Sequence, residues 1–160
     1  SQLFSLGAEA LYKCLPADAG KYVPFSGSSA QTACAFGHYQ PNTGQSACLE
    51  SDPGYFVASI ASTTQSACPA GTYNPSMSSD SGVDCLPADS GNYVDVQASP
   101  SQTPCSPGTY QPDLGQVSCP NTEPGHYAPD EGQSLYAWHC LHACSWRLPR
   151  TPHVCVHAAL

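Results

Sequence analysis

A glycine followed two residues later by an aromatic recurs through this chain at a nearly fixed interval. Gly20, Gly37, Gly54, Gly71, Gly91, Gly108 and Gly125 precede Tyr22, Tyr39, Phe56, Tyr73, Tyr93, Tyr110 and Tyr127. The glycines lie 17 residues apart, with a single step of 20 between Gly71 and Gly91. Seven units in one register define a tandem repeat, with a three-residue insertion near Ser78–Asp80. A unit of this length is too short to bury its own apolar groups. Stacked neighbours must bury them jointly, which gives a quasi-one-dimensional array.

The slots within a unit predict its local form. Glycine before the aromatic supplies a backbone conformation that side chains disfavour, or allows close approach of chains. Proline follows two residues after the aromatic at Pro24, Pro41, Pro75, Pro112 and Pro129, which confines that segment to an edge strand or turn. Gly27, Gly44, Gly115 and Gly132 lie five residues after the aromatic and mark a second turn. No window shows sustained helical periodicity. The fold class expected is small and disulfide-rich: an elongated tandem array of short β-hairpin or ribbon repeats of about 17 residues each, with little helix. The aromatic, as the largest apolar group of each unit, is expected to be its most buried side chain, packed over a disulfide or the next unit's turn.

Composition explains why staples are needed. Leu, Ile, Val and Phe together number 24 of the 160 residues, too few for an ordinary two-layer core. Ten cysteines replace that core, and thiols at such density imply an oxidising, extracellular or cell-surface setting. The cysteines keep time with the glycines. Cys14, Cys48, Cys85 and Cys119 lie six residues before a glycine, and Cys34, Cys68 and Cys105 lie three before one, so units pair into a super-repeat of about 34 residues. Gln occupies the third position before Cys34, Cys48, Cys68, Cys105 and Cys119, and Gly82 holds it before Cys85.

Spacing alone leaves two pairing schemes open. One closes the short loops, Cys34–Cys48, Cys68–Cys85 and Cys105–Cys119. The other closes the long ones, Cys14–Cys34, Cys48–Cys68 and Cys85–Cys105. Loops near 15 residues give about 3 kcal/mol in either case. The segments Cys34-Ala-Phe-Gly-His-Tyr, Cys68-Pro-Ala-Gly-Thr-Tyr and Cys105-Ser-Pro-Gly-Thr-Tyr, each running on to a closing cysteine, resemble the Cys-x-x-Gly-x-Tyr…Cys module of ephrin-receptor-like cysteine-rich repeats. That module in turn is similar to the first module of tumour-necrosis-factor-receptor domains. The resemblance covers residues 14–134 and implies the short-loop scheme, pairing Cys34, Cys48, Cys68, Cys85, Cys105 and Cys119. The chain departs from the family in having single cysteines at unit junctions.

Three segments follow from the register: an atypical flank over 1–13, the seven repeats over 14–134, and a non-repeat tail over 135–160. Residue 1 is Ser and no signal peptide is visible, so the chain is expected to be a fragment or a processed product. In the tail the register slips, with His139 and His142 where Cys and Gly belong. It also holds both tryptophans, both arginines and four of the six histidines. This abrupt change points to a reading-frame error, with a capping segment as the alternative, and loose packing of Trp138 and Trp146 is expected.

Candidate sites are few. The tail's His139, Cys140, Cys144, His153, Cys155 and His157 match no standard zinc spacing, and stray thiols are the favoured reading. Asp18, Asp52, Asp89 and Glu123 lie two residues before a turn glycine and are weak calcium candidates. A turn residue bonding its own backbone is the favoured alternative. His38 and His126 occupy a variable slot expected to face solvent, and no catalytic set is expected. No cofactor is expected. The repeat block carries Lys21 against eleven acids, which opposes nucleic-acid binding, and no stretch is apolar enough to span a membrane. The expected function is an extracellular structural or adhesive repeat protein: a stalk, surface coat or filament subunit. Its expected partners are other protein chains, copies of itself or glycans. A ligand-binding fragment of a cysteine-rich receptor ectodomain is the alternative, with Tyr55-Phe56-Val57 plus Ile60, or Ser76–Ser81, as its exposed patch.

Overall fold

The fold comes from a computed structural model, which describes residues 15–135 and the strand Ala137–Trp138. It is an array of antiparallel hairpins whose strands are two residues long. β1 (Lys21–Tyr22) pairs with β2 (Thr32–Ala33), and β3 (His38–Tyr39) with β4 (Leu49–Glu50). β5 (Tyr55–Phe56) pairs with β6 (Ser66–Ala67), and β7 (Thr72–Tyr73) with β8 (Leu86–Pro87). β9 (Asn92–Tyr93) pairs with β10 (Thr103–Pro104), and β11 (His126–Tyr127) with β12 (Ala137–Trp138). The sixth unit closes with a single bridge between Thr109 and Asn121. Every first strand therefore begins in the slot after the turn glycine. The N–H of that slot donates to the carbonyl three residues back, as from Tyr55 to Asp52 at 3.0 Å. The glycine between them has φ near +80°, the conformation a type II turn demands of its third residue.

Strands this short cannot hold a fold, and stacking does so instead. The turn glycine's N–H donates to the carbonyl after the aromatic of the next unit: Gly20 to Gln40, Gly37 to Val57, Gly54 to Asn74, Gly71 to Val94, Gly91 to Gln111 and Gly108 to Ala128, at 2.7–2.9 Å. A second set of bonds joins three consecutive units at one node. Cys34 donates to the Gly20 carbonyl at 2.9 Å, and Ala61 donates to the Cys34 carbonyl at 2.8 Å. The Ala61 carbonyl then lies against Gly20 so closely that an added Cβ would overlap it. The same triangle recurs through Gly37, Ser51 and Ser78, through Gly54, Cys68 and Ala98, through Gly71, Ala88 and Gly115, and through Gly91, Cys105 and Gly132. Most backbone polar groups left free by the short ladders are thus satisfied between units.

The node fixes where the core sits. Its central residue lies three before the turn glycine and is small in every unit, because backbone converges on it from three units. Cys34, Ser51, Cys68, Ala88 and Cys105 are fully buried there. The second core position is the residue after the aromatic, where Gln40, Val57, Asn74, Val94, Gln111 and Ala128 are buried. The aromatics themselves are only half-buried, and Tyr127 is exposed. The expectation that the aromatic is the most buried side chain is therefore overturned. A ring on a two-residue strand lies on the flank of the stack, whereas its successor points between neighbouring units.

The second-turn slot is also wider than its glycines. Ala61, Ser78 and Ala98 occupy it with φ of 54–61°, in the same left-handed region as Gly27, Gly44, Gly115 and Gly132. The three-residue insertion follows Ser78 and leads into a 3-10 turn over Gly82–Asp84. Ser81 accepts there from the Val83 N–H, and the Asp84 carboxylate reaches back to the Ser81 N–H. At the far end, β12 completes the seventh hairpin through Trp138. The expectations for Cys14, Cys140, Cys144, Cys155, Trp146 and the Trp138 side chain fall outside the described residues.

Candidate functional site

Closure of the units alternates between two chemistries. The second, fourth and sixth are closed covalently by Cys34–Cys48, Cys68–Cys85 and Cys105–Cys119, with Cα separations of 5.6–5.8 Å. The first, third and fifth are closed by an Asp–Gln clasp. Asp52 N–H donates to Gln65 Oε1 at 2.8 Å, and Gln65 Nε2 donates to Asp52 Oδ2 at 2.7 Å. Asp18 with Gln31, and Asp89 with Gln102, repeat this pair across the same thirteen residues. The disulfides thus close the short loops, and the clasp supplies the matching closure where the repeat has no cysteine pair.

The glutamines before the closing cysteines do something else. Gln45 and Gln116 side chains donate to carbonyls two residues back, and their own carbonyls accept from Val23 and Val94 of the preceding unit. In these disulfide-closed units a buried amide organises the loop. Gln40 Nε2 donates to the Ala47 carbonyl at 2.8 Å while its Oε1 accepts from the Asn42 N–H at 3.1 Å. Gln111 repeats this with Ser118 and Asp113. Asn74, on the loop carrying the insertion, donates to the Tyr55 carbonyl and to Ser79 Oγ. Val57, Val94 and Ala128 fill that core slot in clasped or terminal units. This alternation of amide and apolar residue is visible in the sequence, as is the Asp–Gln interval of thirteen, and that interval is the signal for the clasp.

The proposed calcium ligands are thereby accounted for one by one. Asp18, Asp52 and Asp89 are each engaged by a glutamine of their own unit rather than brought together, and their side chains reach that glutamine rather than their own backbone. Glu123 occupies the equivalent place in the seventh unit. Among the described residues no group of three or more His, Cys, Asp or Glu is arranged to hold a metal ion. Asp18 additionally meets Lys21 Nζ at 3.0 Å. The Gln31 hydrogen bond, then the Lys21 hydrogen bond and charge, hold its carboxyl below the ordinary range. His38 and His126 lie on β3 and β11 and are half-buried rather than solvent-facing, and His38 Nδ1 is 3.1 Å from the Phe36 carbonyl. The tail histidines and cysteines lie outside the described residues.

The two patches singled out for ligand binding are neighbours in space. Val57 is buried and Phe56 half-buried, with the ring of Phe56 set against Gly82, just after the insertion, while Ile60 is exposed. The insertion borders an open recess of about 450 Å³ lined by Asn74, Ser76, Ser78, Asp80, Val83 and Asp84. Here the fourth unit departs from the common plan by its insertion. No protein-family model matches the chain, and no curated protein matches it in sequence.

Proposed function

We propose that this chain is a structural or adhesive repeat protein of an extracellular surface: a stalk, a coat component or a filament subunit. The observation that carries this reading is the uniformity of the stack. The same node, the same turn bond and the same alternating closure recur along the described units, so the material is invested in a regular rod rather than in one cleft. The three disulfides call for an oxidising environment, and no helix among the described residues is long and apolar enough to cross a membrane. The surface is acidic, which favours solubility and disfavours nucleic acid. Partners under this reading are other chains of the same surface, copies of itself or glycans. Labelling intact and permeabilised source cells with an antibody to residues 15–135 tests it. Signal on intact cells is expected, and signal that appears only after permeabilisation overturns it.

The recess beside the insertion favours a second reading, a ligand-binding fragment of a cysteine-rich receptor ectodomain. Deleting Ser79–Ser81 then abolishes capture of the chain's surface partner while the remaining units keep their disulfides.

A further inference from the structure

A disulfide decides which part of a chain carries tension along the backbone. A pull crosses the bridge and leaves the loop behind it slack, because the loop is the longer route. Cys34–Cys48, Cys68–Cys85 and Cys105–Cys119 therefore take 14, 17 and 14 residues off the path. Between these bridges the path runs through residues 48–68 and 85–105, two segments of 20 residues each. The insertion that lengthens the fourth unit lies inside the loop closed by Cys68 and Cys85, so it leaves the path unchanged. Equal length is kept where tension passes and relaxed where it does not.

Each segment carries a clasped hairpin, with Asp52 held by Gln65 in the first and Asp89 by Gln102 in the second. A third clasp, Asp18 with Gln31, precedes Cys34. Tension enters each hairpin at its open end. In the first segment Tyr55 and Phe56 pair with Ala67 and Ser66, and the Cys68 N–H closes the open end on the Gly54 carbonyl at 2.9 Å. In the second, Asn92 and Tyr93 pair with Pro104 and Thr103, and the Cys105 N–H donates to the Gly91 carbonyl at 2.8 Å. Bonds met from an open end are loaded one after another rather than together, and each is a hydrogen bond of modest net strength. The bridged loops cannot lengthen without breaking a covalent bond.

We propose that this chain is an extensible tether. Under tension its clasped segments unzip in turn while the bridged loops stay closed. The array therefore yields, stops at a length set by its disulfides, and re-forms when the tension is lifted. Re-formation follows from loop entropy: the bridges keep their own loops closed throughout, so only the short clasped loops have to close again. The inference rests on the structural reading above and deepens it, by giving the alternation of clasp and bridge a mechanical role.

The test is single-molecule force extension of the full-length chain, held through reactive handles introduced at the exposed Leu15 and Leu135. Cys14→Ser, Cys140→Ser, Cys144→Ser and Cys155→Ser ensure that no further bridge shortens the path. At about 3.4 Å per residue, the oxidised chain is expected to stop at about 270 Å and the thiol-reduced chain at about 410 Å. The oxidised chain is expected to reach its limit in separate steps, none above about 70 Å, and to recover them over repeated pulls. Gln65→Ala removes the clasp from one segment and is expected to make that step open about fivefold faster at constant force, with the limit unchanged. Gln45→Ala loses only a bond to the Thr43 carbonyl inside a bridged loop and is expected to pull like the parent chain. An oxidised chain that yields in one undivided event, passes about 270 Å or fails to recover overturns the proposal. So does a Gln65→Ala chain whose steps all open at the parent rate. None of these outcomes bears on surface labelling, so failure here is separable from failure of the functional reading.

Discussion

Gly54 and Ala98 touch through backbone alone, the Ala98 carbonyl lying where a side chain on Gly54 would begin. Both residues are left-handed, with φ of 87° and 61°, and between them stands the Cys68 peptide, bonded to each. This three-unit contact rather than the hairpin is the unit of stability, and it makes the two partners respond oppositely to substitution. Gly54→Ala adds a methyl into the Ala98 carbonyl and a left-handed penalty, and is expected to destabilise by about 3 kcal/mol. Ala98→Gly relieves its own left-handed strain and is expected to stabilise by up to about 1 kcal/mol. Urea midpoints of the two variants check both signs.

The clasp predicts unequal glutamines. Gln65→Ala removes both bonds to Asp52 and is expected to cost about 1 kcal/mol, given that the pair is exposed. Gln45→Ala loses only a side-chain bond to the Thr43 carbonyl and is expected to cost less than about 0.5 kcal/mol. Equal losses in chemical denaturation would show that the clasp closes nothing.

Acid should act first where a carboxylate is held ionised. The Asp18 carboxyl is lowered by the Gln31 bond and then by Lys21. Its contribution is therefore present above the ordinary carboxylate range and is lost as pH falls through its lower, folded-state value. Between pH 5 and pH 2 wild type is expected to lose stability more steeply than Asp18→Asn. Parallel curves of denaturation midpoint against pH would remove this role.

Reduction is expected to unfold the block, because two small core positions per unit cannot replace the loops closed by the bridges. Cys34→Ala with Cys48→Ala removes one bridge closing a 14-residue separation and is expected to cost about 3 kcal/mol. Circular dichroism before and after thiol treatment measures the first effect, and urea titration the second. A block that keeps its spectrum when fully reduced would place the stability in the nodes alone.

The repeat interval, the turn glycines and the proline-limited strands were enough to read a disulfide-rich hairpin array from the sequence, because each is a local backbone requirement that one residue type meets. Cysteine spacing left two closures open, since loop entropy depends weakly on length. Only the stack decides between them, by setting Cys34 close to Cys48, Cys68 to Cys85 and Cys105 to Cys119. The burial order was likewise hidden: a ring such as Tyr73 looks like the core by size, but Asn74 and Cys68 are the buried residues, because neighbouring units converge on their slots. The acids read as turn residues until Gln65 and its equivalents, thirteen residues on, were seen to reach them. What the sequence by itself determined is therefore the unit, whose form follows from neighbours along the chain. What only the tertiary structure decided is the junction, where Gly20, Cys34 and Ala61 meet from three different units and no single one of them carries the pattern.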